Sequence, residues 1–101
     1  MKMHVYIKDP GKPPRSVNIS KSLKNLQNTV GGHIECVRPL TDMVIICNEE
    51  GMINDLPFNC ELFGLPFFGT IIFAGANEDD FCDVPIEYDL FKKLFPSLWR
   101  C

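Results

Sequence analysis

Asn48-Glu49-Glu50-Gly51 is the string in this chain with the most chemical content. Two adjacent carboxylates beside a glycine can hold a cation, or accept hydrogen bonds from a ligand's hydroxyl and amino groups. The same string also makes a solvated turn, because Asn and Gly tolerate positive φ and glutamates prefer water. Gly31-Gly32 has a similar double reading: backbone N–H groups brought close to a ligand, or a helix stop. Glu78, Asp79 and Asp80 form a second acidic run, but without the spacing of a calcium loop. The two histidines, His4 and His33, can meet across neighbouring strands, although a strand histidine is more often a packed or surface residue. Five cysteines, at 36, 47, 60, 82 and 101, form an odd set with no Cys-x-x-Cys. His33 and Cys36 point to opposite faces of a strand, so they do not chelate one ion together. The cysteines therefore read as reduced, mostly buried thiols, with Cys101 terminal and exposed. The chain has no P-loop, no dinucleotide glycine motif, no nucleophile elbow and no His-Glu-x-x-His. No catalytic residue, metal site or cofactor is assigned.

These residues need a scaffold, and hydrophobic periodicity outlines one. Residues 3–8 alternate as a half-buried strand, with Met3, Val5 and Ile7 on one side and His4, Tyr6 and Lys8 on the other. A Pro- and Gly-rich turn follows, then a short strand with Val17 and Ile19 inward. Ser20 is the expected N-cap of a helix over 21–30, with Leu23, Leu26 and Val30 on its apolar face and Gly31-Gly32 as its stop. Residues 33–37 and 43–48 read as a hairpin, the second strand apolar on both faces. Residues 52–68 carry too many Pro and Gly for a long element and are expected to be a short helix or irregular. Residues 69–75 form another doubly apolar strand. A last helix is expected over 84–95, capped by Asp83 or Val84, with Pro85 in its first turn, Ile86, Leu90 and Leu94 as its stripe, and Phe91, Phe95 and Leu98 widening it. The predicted class is α+β, one compact domain over residues 1–101, with a mostly antiparallel sheet and two main helices packed on it.

Composition narrows the function. The chain has 101 residues, 46% of them hydrophobic and 23% charged, with a net charge of −3. That is globular composition. The weak acidity argues against binding a nucleic-acid duplex, and it falls far short of mimicking one. No apolar run of ~18 residues suits a membrane span. The first residues lack the apolar core of a secretory signal, so a cytoplasmic location is expected.

Several strings in order carry a resemblance. They are Asp9-Pro10-Gly11-Lys12, Leu26-Gln27 with Val30-Gly31-Gly32 and Ile34-Glu35, Ile46-Cys47-Asn48-Glu49-Glu50-Gly51, Leu56-Pro57 with Asn59, Gly69-Thr70 with Gly75, and Asp79-Asp80-Phe81-Cys82. Their order and spacing resemble a small uncharacterised domain family carried by phages, plasmids and conjugative elements, mostly of Firmicutes. Residues 60–68 depart from it in being shorter and more aromatic. The resemblance carries no reaction. It implies a small accessory protein made inside a bacterial host cell by a mobile element, of a kind that often counters host defence, while the missing catalytic motifs make a non-enzymatic role the expectation.

Two functions follow as expectations. One is sequestration of a small nucleotide-like ligand by loop residues: Gly31, Gly32, Glu35, Asn48, Glu49, Glu50 and Asn59. The proposed hairpin brings Gly32 and the Asn48–Gly51 turn to the same end. On this reading, Ala at Asn48 or Glu50 removes function and leaves the melting temperature almost unchanged. The alternative is a protein-binding inhibitor of a host defence or regulatory protein, anchored by the aromatic segment from Phe58 to Phe68 and by Phe95, Leu98 and Trp99. The small Phe-rich chain is also expected to form a homodimer or a higher homo-oligomer.

Overall fold

A computed structural model describes residues 1–78 and 80–100. Statements about Asp79 in the acidic run and about Cys101 lie outside the described residues. The strands are β1 (Lys2–Lys8), β2 (Arg15–Ser20), β3 (Ile34–Val37), β4 (Met43–Asn48), β5 (Phe58–Leu62), β6 (Leu65–Phe68), β7 (Ile71–Ala76) and β8 (Phe81–Cys82). The helices are α1 (Leu23–Val30) and α2 (Tyr88–Leu94), followed by a 3-10 turn at Pro96–Trp99.

The main sheet runs in the order β2-β1-β7-β4-β3, with β8 also paired to β7. Every pairing is antiparallel. The doubly apolar strands β4 and β7 lie side by side in the interior, where both faces of each are covered. Their sequences demand this, since a strand apolar on both sides must bury both. β3 and β4 form the expected hairpin, with Ile34 opposite Asn48 and Glu35 opposite Cys47.

One face of the sheet carries Met3, Val5, Ile7, Val44, Ile46 and Ile72, and Leu26 and Val30 of α1 cover it. α1 begins later than the Ser20 cap predicts. Ser22 is the N-cap, its hydroxyl accepting from the Asn25 N–H at 3.2 Å. Gly31 closes the helix at φ 84°, a left-handed geometry in which a Cβ would be strained. Leu23 faces solvent, because the helix crosses the sheet on Leu26 and Val30 alone.

The other face carries Tyr6, Ile45, Cys47, Ile71 and Phe73, and β1 is buried on this side too, including Lys8. The expected half-buried strand is therefore covered on both faces. The cover comes from the segment expected to be helical or irregular. β5 and β6 form a separate two-stranded hairpin, turned at Phe63 and Gly64 with φ of 54° and 75°. Two successive positive φ values make a tight primed turn that matches strand twist.

α2 completes this layer, and it is shorter than expected. Residues 83–86 are drawn off the helix by β1: Asp83 Oδ1 accepts from the His4 N–H at 2.7 Å, the Val84 N–H donates to the His4 carbonyl at 2.9 Å, and the Ile86 carbonyl accepts from the Tyr6 hydroxyl at 2.5 Å. The helix starts only once those bonds are made. Its buried side is the widened edge of the expected apolar face, with Phe91 and Leu98 buried, and not the Leu90 and Leu94 part of the stripe. Leu90 and Leu94 are 49% and 53% exposed, whereas Phe91 is fully buried against Tyr6, Phe73, Phe95 and Trp99.

Candidate functional site

The open end of the β3–β4 hairpin holds a cleft of about 160 Å³. Glu35 of β3 and Glu49 after β4 supply its carboxylates, and Cys47 and Asn48 lie between them on the chain. Met52 and the β6 residues Leu65, Pro66, Phe67 and Phe68 supply the apolar side. Antiparallel pairing places Glu35 opposite Cys47 on one face of the sheet. The ladder continues past the strand, since the Glu49 N–H donates to the His33 carbonyl at 2.8 Å. Gly51 then lets the turn pack on β6, where a Cβ would sit 3.0 Å from the Phe68 carbonyl oxygen.

The cleft's electrostatics are one-signed. Its lining contains two glutamates and no Lys, Arg or His. Burial, together with the charge of Glu35 and the neighbouring Cys36 thiol, pushes the Cys47 thiol up to about 11. At neutral pH it is a protonated weak donor, its Sγ 3.6 Å from the Glu35 carbonyl oxygen. It has none of the thiolate character a nucleophile needs. The cleft suits a group that is apolar on its faces and rich in hydrogen-bond donors at its edge.

The structure divides the seven predicted residues. Glu35, Asn48 and Glu49 meet in the cleft. Asn48 also holds the fold together. It is buried, with its Nδ2 donating to the Val30 carbonyl at 3.2 Å and its Oδ1 accepting from the Glu50 N–H at 2.8 Å. Gly31 and Gly32 line a different depression, with Gln27, Asn28 and His33. At Gly32 a Cβ would lie 2.8 Å from Asn48 Nδ2, so this glycine makes room for Asn48. The Glu50 side chain is exposed and does not line the cleft. Asn59 lies elsewhere, donating through Nδ2 to the carbonyls of Lys8 and Gly69 at 2.8 Å each. It fastens the β5–β6 hairpin to the ends of β1 and β7. Sequence reading did not assign Cys47 or the β6 wall to the site, because it did not place residues 58–68 in a hairpin over β4.

Among the described residues no three His, Cys, Asp or Glu side chains gather as a metal set. Cys36, Cys47 and Cys82 are free thiols. No helix among the described residues is long and apolar enough to cross a membrane.

Fold and cleft together define a small α+β domain with an acidic, apolar-walled recess at one end of its sheet. The chain belongs to the family described as "Domain of unknown function (DUF3846)", whose model matches residues 1–96. No curated protein and no solved structure matches it.

Proposed function

We propose that the chain is a non-enzymatic binding protein that holds the base of a nucleotide-like ligand in the β3–β4 cleft. The observation that supports this reading is the convergence of Glu35 and Glu49 on a recess walled by Met52 and Phe68. A heterocycle lays its faces on apolar side chains and offers its amino groups to the carboxylates. The volume of about 160 Å³ falls below the ~300–1,000 Å³ of pockets that enclose drug-sized molecules, so the cleft takes one ring and leaves the rest of the ligand outside. The phosphates, which find no cation in the lining, extend into solvent. In this reading the protein is an accessory of a phage or other mobile element. It acts in the bacterial cytoplasm as a homo-oligomer that sequesters a nucleotide-derived defence signal.

Calorimetric titration with nucleosides and nucleotides tests the reading. Binding is expected to weaken at least ~10-fold in Glu35→Gln with Glu49→Gln, about 1.4 kcal/mol, at an unchanged melting temperature. No heat with any of them at millimolar concentration would remove the proposal.

A second reading, a protein-binding inhibitor of a host protein, is favoured by a different observation. Phe58, Phe63 and Leu65 are 56%, 52% and 44% exposed on the β5–β6 hairpin. Exposed large apolar side chains gathered on one element suit an interface. Capture of one host protein that is lost in Phe58→Ser with Phe63→Ser, and that nucleotides do not displace, would favour it over sequestration.

A further inference from the structure

Among the described residues β2 pairs with β1 alone, so the outer side of its backbone has no strand beside it. The ladder shows which groups point that way. The Lys21 N–H donates to the Met1 carbonyl at 3.1 Å, one step beyond the Lys2–Ser20 pair. Hydrogen-bonded and non-hydrogen-bonded pairs alternate along an antiparallel ladder. Arg15, Val17 and Ile19 therefore turn their N–H and C=O groups to β1, and Ser16, Asn18 and Ser20 turn theirs outward. The Ser20 carbonyl accordingly accepts from the Asn25 side chain at 3.1 Å.

An open edge is ordinarily blunted by charge, proline, a bulge or short length. β3, the opposite edge of the sheet, has only four residues and carries Glu35. β2 has six residues, an unbroken register with β1, and neither charge nor proline from Ser16 to Ser20. That segment, Ser-Val-Asn-Ile-Ser, has the same polar and apolar order read in either direction. Two copies can therefore pair antiparallel about Asn18. Ser16 then faces Ser20 of the second copy, Val17 faces Ile19, and Asn18 faces its equivalent. This register sets outward backbone groups against outward ones and apolar side chains against apolar ones. It also sets Arg15 opposite Lys21, but each is neutralised within its own chain, Arg15 by Asp9 at 2.5 Å and Lys21 by Asp80 at 2.7 Å.

The helix beside this edge fits the same pairing. Val17 and Ile19 are half-buried on the α1 side of the sheet. The Asn25–Ser20 bond ties the first turn of α1 to the end of β2, and Leu23 in that turn is 56% exposed. A two-fold axis normal to the sheet keeps both copies of α1 on one face, where Leu23 and the open flanks of Val17 and Ile19 lie along the seam.

We propose that β2 is the surface through which two copies of this chain associate, pairing antiparallel over Ser16–Ser20 into one sheet that crosses both. This gives the homo-oligomer of the functional reading its interface. It leaves the β3–β4 cleft open at the far edge and does not depend on what that cleft binds.

Sedimentation equilibrium and amide hydrogen exchange on the whole chain test it. The parent is expected to be a dimer at about 100 µM. Asn18→Lys, an exposed change that opposes two like charges across the axis, is expected to weaken the dimer at least ~10-fold at an unchanged melting temperature. Leu23→Ser is expected to weaken it at least ~3-fold. In the parent, the amides of Ser16, Asn18 and Ser20 are expected to exchange slowly in the dimer and fast on dilution to monomer. A dimer that Asn18→Lys leaves intact, or one in which those three amides exchange as fast as in the monomer, overturns this interface and leaves the homo-oligomer standing. A monomer at that concentration overturns both, and the cleft's ligand titration is unaffected by either outcome. If Asn18→Lys lowers the melting temperature, the exchange rates of the parent decide.

Discussion

Asn48 Nδ2 donates to the carbonyl oxygen of Val30 at 3.2 Å, so a side chain at the end of β4 closes the C-terminus of α1. Its Oδ1 meanwhile accepts from the Glu50 N–H at 2.8 Å and shapes the turn that presents Glu49. One amide thus ties a helix end, a strand end and a cleft wall together. Asn48→Ala leaves a buried carbonyl and an amide N–H unmet, and about 1–3 kcal/mol of stability is expected to go with them. Glu50→Ala, an exposed change, is expected to stay within ~0.5 kcal/mol. Urea denaturation of the two variants separates them. The silent Asn48 variant that sequence reading expects is therefore replaced by a destabilised one.

Phe91 is the centre of the aromatic layer over Tyr6 and Phe73. Phe91→Ala is expected to cost about 3–5 kcal/mol, as a large ring removed from a packed core does. Leu90→Ala, one residue away and half-exposed, is expected to cost well under ~1.5 kcal/mol. Equal losses in thermal or chemical denaturation would contradict the assigned helix face.

The Cys47 thiol is raised to about 11 by burial and by Glu35, whereas an unfolded-chain thiol titrates near ~8.5. The unfolded state therefore ionises first. This contribution to stability is complete below pH ~8.5 and falls as pH rises toward 11. Cys47→Ala is expected to flatten the loss of stability over that window. In the native parent, alkylation at pH 8 is expected to modify the exposed Cys36 well before Cys47, which mass spectrometry of the digested protein reads directly.

Partial burial works upward on the Asp9 carboxyl, but hydrogen bonds from Thr70 and Arg15 outweigh it and hold it below its ordinary value. A depressed carboxylate contributes stability above the unfolded pKa of ~3.9 and loses it as pH falls through the folded value. Asp9→Asn is thus expected to be less stable than the parent at pH 7 and to converge with it in strong acid. A constant difference across that range would contradict the pairing.

Much of this architecture was legible where a local pattern and its tertiary fate agree. β4 and β7 read as interior strands because they are apolar on both faces, and Gly31 marked the end of α1 because only a left-handed residue closes it. The β5–β6 hairpin was hidden by its turn. A primed turn usually announces itself with Asn-Gly or Asp-Gly, and here Phe63 occupies the first positive-φ position. Pro66 also looked like a breaker, yet an outer strand of a two-stranded sheet tolerates a residue without an N–H. The start of α2 was displaced by bonds from His4 and Tyr6, partners some 80 residues away in sequence that no local signal reveals. The site followed the same rule. Glu35, Asn48 and Glu49 were legible through hairpin register, whereas the β6 wall depended on the hidden hairpin. Asn59 looked like a loop residue and is a buried fastener.

The claim that the β3–β4 cleft is the binding site is tested most directly by amide chemical-shift mapping on isotope-labelled protein titrated with nucleosides and nucleotides. The expected result is a set of saturable shifts confined to Glu35, Cys47, Glu49, Met52 and Phe68, lost in the double Glu→Gln variant. Shifts that instead gather on the outer side of β5–β6, or none at millimolar ligand, would contradict it.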